Sequence, residues 1–254
     1  MRVSVTGLGW VGSHGPGRAG DDASPAFADG TPAAVRLKDY FTTTEGRSGR
    51  LDDYSKLGLA AVALALGDAG LDSWDAKRKG ALVAATGFGC LATDGSYFET
   101  ALDEGGALAS PNLFAYTLPN CFVGEAALRF GLTGPTFVLS GEAQKGSRLK
   151  ALAEGVALLL DGEARFAVCG FCDMGAPEFL TAQGAASGVA SGGAAFFVLE
   201  DEDRRGGDAT LSSSPSLAGL TLRGSEVIQE GVGPVEDVTQ FISDICKRSK
   251  SGQD

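Results

Sequence analysis

The chain has 254 residues, 44% of them hydrophobic and 21% charged, with a formal net charge of −11. That is enough apolar material for one large domain or two small ones. The acidic balance excludes nucleic acid or an anionic membrane as the main partner, unless a basic patch is local.

Residues 2–6 alternate and are β-prone, so they predict a strand. Residues 13–32, rich in Gly, Pro and Asp, predict a loop. A helix is expected from about Asp53 to Ala69, and Gly70 ends it. Its apolar residues run nearly all round, which requires cover on more than one side. GALVAAT (80–86) predicts a buried strand, TDGSYFETALDEG a helix capped by Thr93, and NCFVGEAALRFG a short helix. TFVLS (136–140) predicts a strand. It is followed by a helix from Ser147 to Leu160, with Leu149, Leu152, Val156 and Leu159 along one stripe. RFAVCGF (165–171) and GAAFFVLE (193–200) predict two further strands.

Residues 201–216 are charged, then small and polar, and are expected as a solvated connection. LAGLTLRG offers a last strand. PVEDVTQFISDIC predicts an amphipathic helix with Pro234 at its start and Val235, Val238, Phe241, Ile242 and Ile245 on one side. The alternation of strands and helices gives an α/β class with a mixed, mainly parallel sheet. The expected division is 1–200 as one domain and 201–254 as a connection, a possible last strand and the C-terminal helix.

Short motifs carry little chemistry. Gly7, Gly9 and Gly12 match the dinucleotide fingerprint directly after a strand, but SHGPGRAGDD does not begin the helix that would face a pyrophosphate. A tight turn is expected there, and no nucleotide. Cys169 and Cys172 form a CxxC at the end of a strand, without a second pair, so buried thiols are expected in place of redox or metal chemistry. His14, the sole histidine, lies in the Gly-rich loop. Five scattered cysteines do not form a disulfide framework. No segment reaches the length of a membrane span, and MRVSVTGLGW enters a strand pattern in place of a signal-peptide core. A cytoplasmic protein without cofactor or metal is the expectation. SPNLFAYTLPN concentrates Phe114, Tyr116 and Leu118, followed by Asn120 and Phe122. It is a packed loop or a contact surface.

In order along the chain, VSVTGLGWV, GRLDDYSKLGLAAVALALGDAGLD, ALVAATGFGCLATDGSYFETALDEG, SPNLFAYTLPNCFVGEAALRFGLTGP, GEARFAVCGFCD and SGGAAFFVLED resemble the first half of a β-ketoacyl synthase. The resemblance spans about residues 2–201. It implies a thiolase-like fold, half of an αβαβα sandwich. In that family the strand after Gly-Pro ends in a turn bearing a nucleophilic cysteine at a helix N-terminus, where the dipole favours thiolate. Counting forward from Gly134-Pro135 places that position at Ala143. Counting back from Asp161-Gly162 places it near Lys145, with Gln144 between. None is a cysteine, and Cys121 and Cys169 belong to other elements.

The family's second half supplies two histidines, which this sequence does not provide, and the segment between FCDMG and SGGAAFFVLE is shorter than usual. The pattern resembles chain-length factors, silent partners that lack the cysteine and pair with an active ketosynthase. The resemblance therefore implies a silent subunit of fatty-acid, polyketide or polyene synthesis that meets an acyl carrier protein indirectly. Phe114, Tyr116, Leu118, Asn120 and Phe122 become interface or gate candidates. The rivals are a homodimeric protein binding an acyl thioester or carrier protein, and a malonyl-thioester decarboxylase. A half fold should also expose an apolar surface, and the C-terminal helix is expected to cover part of the helix at 53–69.

Overall fold

The computed structural model describes residues 2–22, 25–27, 31–41, 48–141, 148–182, 192–205, 211–212 and 214–251. Strand β1 (Val3–Gly12) is buried along its whole length and runs straight through the glycines expected as a turn. Helix α1 (Asp53–Asp68) explains why. A Cβ on Gly7 would strike Ala65 and Ala69, and one on Gly9 would strike the backbone of Leu64 and Ala65. The GxGxxG spacing thus serves close strand–helix packing. Past Ser13 and His14 the chain returns as β2 (Gly15–Arg18), antiparallel to β1. Part of the expected 13–32 loop is therefore a hairpin.

α1 begins where Asp52 accepts the Ser55 N–H at 3.0 Å, an N-cap bond. It ends before Gly70, whose φ of 70° is the left-handed conformation that closes a helix. The remaining elements are β3 (Gly80–Thr86), α2 (Leu91–Leu102), α3 (Pro111–Phe114), α4 (Cys121–Phe130), β4 (Thr136–Ser140), α5 (Lys150–Leu160), β5 (Phe166–Asp173), α6 (Glu178–Ala182), β6 (Gly193–Asp201), α7 (Glu202–Arg205), β7 (Ala218–Arg223), β8 (Glu226–Gln229), β9 (Gly233–Pro234) and α8 (Val238–Ser251).

They build one sheet in the order β4-β3-β5-β6-β1-β7-β8-β9, with β2 beside β1. β3 pairs in parallel with β4 and β5. β6 is antiparallel to both β5 and β1, so β1 runs in the direction of β3, β4 and β5. The fold class is the expected mixed α/β sheet with helices. β1, β3, β4, β5 and β8 point one way and β2, β6, β7 and β9 the other, so the parallel pairings are β3 with β4 and β3 with β5. The chain then continues antiparallel through β7, β8 and β9, a hairpin extension that the sequence pattern showed only as one last strand.

Alternate residues of each strand feed two cores. On one face α1 and α4 pack on Leu82, Ala84, Phe166, Val168 and Phe196. On the other, α5 and α8 pack on Ala81, Val83, Ala167, Phe171, Phe197 and Trp10. α8 therefore does not cover α1, as expected, but lies on the opposite side of the sheet. α1 is closed over instead by Leu37, Leu51 and Leu211, with Ala33, Val35, Tyr40 and Phe41 packed against them.

Three boundaries differ from expectation for local reasons. Thr93 lies within α2 and its hydroxyl donates to Asp52 at 2.7 Å, so it links two helices and caps neither. α8 is capped by Asp237, which accepts from the N–H groups of Thr239 and Gln240, while Pro234 belongs to β9. α5 begins at Lys150, and Leu149 precedes it. The 201–216 stretch is not merely solvated: Leu211 and Ser212 are buried. The Ser212 hydroxyl donates to the Ala69 carbonyl and its N–H to Glu200 at 2.7 Å, which pins the segment to the end of α1.

Candidate functional site

The parallel strands β3, β4 and β5 end on the same side of the sheet, the edge where open α/β sheets place their sites. Asp173, the last residue of β5, is buried there. Its carboxylate accepts from the Thr86 hydroxyl at 2.8 Å, the Gly87 N–H at 2.9 Å and the Phe88 N–H at 3.0 Å. Thr86 in turn accepts from the Gly89 N–H at 2.7 Å. One carboxylate thus fixes a glycine turn directly after β3. The space where a Cβ on Gly89 would stand is filled by Pro119, so the Phe114–Val123 segment lies against that turn. Tyr54 on α1 holds it from below, donating to the Pro119 carbonyl at 3.3 Å.

β4 ends at Ser140, and the Gly141 N–H still bonds the Thr86 carbonyl at 3.2 Å. Ala143, Gln144 and Lys145, the positions counted for the nucleophile, lie outside the described residues. Arg148, two residues before α5, is buried, its guanidinium 4.2 Å from the centre of the Phe171 ring. Burial lowers its pKa, and Asp173 and Asp237 oppose that shift.

No thiol is activated nearby. Cys169 and Cys172 are three residues apart in a strand, so they point to opposite cores and cannot pair. Burial raises both thiols. Cys90 is pushed up to about 12 by burial and by Asp94, and burial also raises Cys121, whose thiol donates to the Ala115 carbonyl. His14 is exposed in the β1–β2 turn. Among the described residues no group of three or more His, Cys, Asp or Glu side chains could hold a metal ion. Nor is any described helix long and apolar enough to cross a membrane.

The five interface candidates separate. Phe114 and Leu118 are each 61% exposed. The Phe114 ring leans on Tyr97 at 5.4 Å. Tyr116 is half-buried against the α1 core. Asn120 is exposed at the start of α4 and makes no side-chain cap bond. Phe122 is fully buried between Tyr54, Phe196 and Gly58, so it is a core residue and not a surface gate. Sequence reasoning missed Asp173, Thr86 and Arg148. It also missed Phe98, Leu102, Leu108 and Phe179, which are exposed as Phe114 and Leu118 are.

Solved structures share this architecture. The ishigamide ketosynthase/chain length factor matches with a TM-score of 0.65 at 16% identity, over 87% of this chain and 66% of that one. The type II polyketide synthase complex AntDE:AntF matches with a TM-score of 0.67 at 19% identity, over 87% of this chain and 68% of that one. A β-ketoacyl synthase from Burkholderia phymatum STM815 matches with a TM-score of 0.60 at 17% identity, over 86% and 62%. The chain thus spans about two thirds of the length of these relatives, and likeness at such identity speaks for the fold. No curated protein matches. The β-ketoacyl synthase N-terminal domain model matches residues 20–201, and the chain accordingly belongs to the β-ketoacyl synthase family.

Proposed function

We propose that this chain is a catalytically silent ketosynthase-like subunit of the chain-length-factor type. It pairs with an active ketosynthase in polyketide, polyene or fatty-acid-like synthesis and shapes the space for the growing acyl chain. The observation that carries this reading is the absence of any cysteine between Cys121 and Cys169, the stretch that holds β4, α5 and the residues between them. Without a thiol at the turn there is no acyl-enzyme to form, and partial credit is not available to the surrounding groups. The glycine turn after β3 is held in place by Asp173 in this chain, so the edge of the sheet is ordered there without a thiol.

Pairing is supported by two surfaces that a monomer leaves open. Among the described residues β4 is an edge strand bonded only to β3, with none of its residues buried. α2 and α3 carry exposed aromatic and leucine side chains. An unpaired edge and exposed apolar side chains are each features that a partner covers. The test is to incubate the isolated chain with acyl and malonyl carrier protein and analyse it by intact mass and product formation. No covalent acyl adduct and no condensation product are expected. Condensation by the chain alone would end the silent reading, and carbon dioxide release from the malonyl thioester would favour the decarboxylase.

A further inference from the structure

A second face of the molecule plays no part in the pairing described above. Beside α1 lies a groove of about 960 Å³, with Ala63 and Leu64 of that helix in its lining. Tyr40, Phe41, Trp74 and Leu128 line it too. Leu128 is 72% exposed, the most exposed large apolar side chain among the described residues. The cations of the groove are all arginines, Arg18, Arg36 and Arg129, and the carboxylates of Asp39, Asp72 and Glu125 share it with them. Trp, Tyr and Arg dominate the energetics of protein–protein contacts, and lysine, which such contacts avoid, does not line this groove. The charges are not equivalent. Arg36 pairs with Asp39 at 3.1 Å, and the Arg129 guanidinium lies 4.3 Å from the centre of the Phe41 ring. Arg18 and Glu125 form no ion pair among the described residues. They also stand toward opposite ends of α1. The Arg18 guanidinium lies over Gly67, where a Cβ would stand 3.1 Å from it. Glu125 is one turn along α4 from Phe122, whose ring packs on Gly58. About 13 Å of helix separates Gly58 from Gly67.

We infer that this groove receives a second copy of the chain across a twofold axis. A partner of one charge sign would satisfy one end of the groove and be repelled at the other. A twofold interface sets a surface against itself reversed, so Arg18 of each copy meets Glu125 of the other. The same operation covers Leu128 of both copies. No residue of α2 or α3 lines the groove. The association is therefore independent of pairing with a ketosynthase, and the two combine into an assembly with two copies of each chain.

The test is the native mass of the full chain at about 1 μM and about 100 μM, a span across which a micromolar dimer fills. The wild type passes from monomer to dimer. Leu128→Asp, at a position 72% exposed in the single chain, keeps the melting temperature and weakens the dimer about tenfold or more. Arg18→Glu and Glu125→Arg each weaken it about tenfold, because each change sets like charges together twice. An equimolar mixture of those two variants dimerises as the wild type does, since each offers the sign that the other lacks. A general loss of structure could not be rescued by mixing. Phe98→Asp, on α2, leaves this dimer unchanged while it weakens ketosynthase binding, so the inference and the pairing reading fail separately. A wild type that is monomeric at the higher concentration would overturn the inference. So would a dimer that ignores Leu128→Asp, one that Phe98→Asp breaks, or two charge variants that stay monomeric when mixed.

Discussion

α2 and α8 are both amphipathic helices, and the fold treats them in opposite ways. α8 lays Val238, Phe241, Ile242 and Ile245 into the core beside Trp10 and Phe197, and shows solvent Gln240, Lys247, Arg248 and Lys250. α2 presents Leu91, Phe98 and Leu102 at spacings that share one face, and no part of that face is buried. The difference teaches that an apolar stripe specifies that something must cover it, and the rest of the chain decides whether the cover comes from within. For α8 it does. For α2 the account assigns the cover to another molecule.

The largest expected effect lies on the α8 side. Phe241→Ala removes a ring that stacks at 5.3 Å on Phe197, and it should cost about 3–5 kcal/mol in denaturant unfolding. The matching change on α2, Phe98→Ala, should stay within about 0.5 kcal/mol because the side chain is mostly solvated in the free chain. Equal costs would erase the contrast between the helices. Phe98→Asp and Leu118→Asp sharpen it from the other direction. Each should leave the melting temperature in place and weaken ketosynthase binding by about 2 kcal/mol or more, read by titration calorimetry.

Smaller is the effect of Asp173→Asn, which trades a charged acceptor of three hydrogen bonds for an amide oxygen. A loss of about 1–3 kcal/mol in denaturant unfolding is expected, because the glycine turn keeps geometry but loses charge-assisted bonds. The smallest effect concerns pH. Asp68 accepts the Leu8 N–H at the point where β1 shifts register against β6, and burial raises its pKa above the unfolded value. Its protonated form is thus favoured by folding. The associated stability is present below the unfolded pKa and is lost as pH rises through the folded one. Relative to Asp68→Asn, the wild type should therefore gain stability as pH falls from about 7 toward about 4. A wild type that instead loses ground to the variant on acidification would reverse the sign assigned to Asp68.

Much of the fold was legible because its elements follow one rule each. α1 shows a capping Asp52, an apolar run and a terminal Gly70, all local signals. β3, β4, β5 and β6 are short β-prone runs. The missed features depend on contacts between distant residues. Gly7 and Gly9 looked like a turn because glycine usually marks one, and only the approach of α1 shows that they are a strand kept thin. Asp173 and Thr86 are 87 residues apart, so no pattern in the sequence joins them. Phe122 sits two residues beyond an exposed asparagine, and its burial follows from Gly58 leaving room on α1. On α2 the helix was legible but not the stripe of Leu91, Phe98 and Leu102, whose outward direction depends on the rest of the chain.

The most direct test of the central claim is the native mass of the tagged chain purified from its host, with mass spectrometry of whatever co-purifies. The account predicts a stoichiometric complex with a cysteine-bearing ketosynthase, broken by Phe98→Asp or Leu118→Asp while the chain stays folded. A homodimer without any ketosynthase, held together through the same α2 surface, would contradict it.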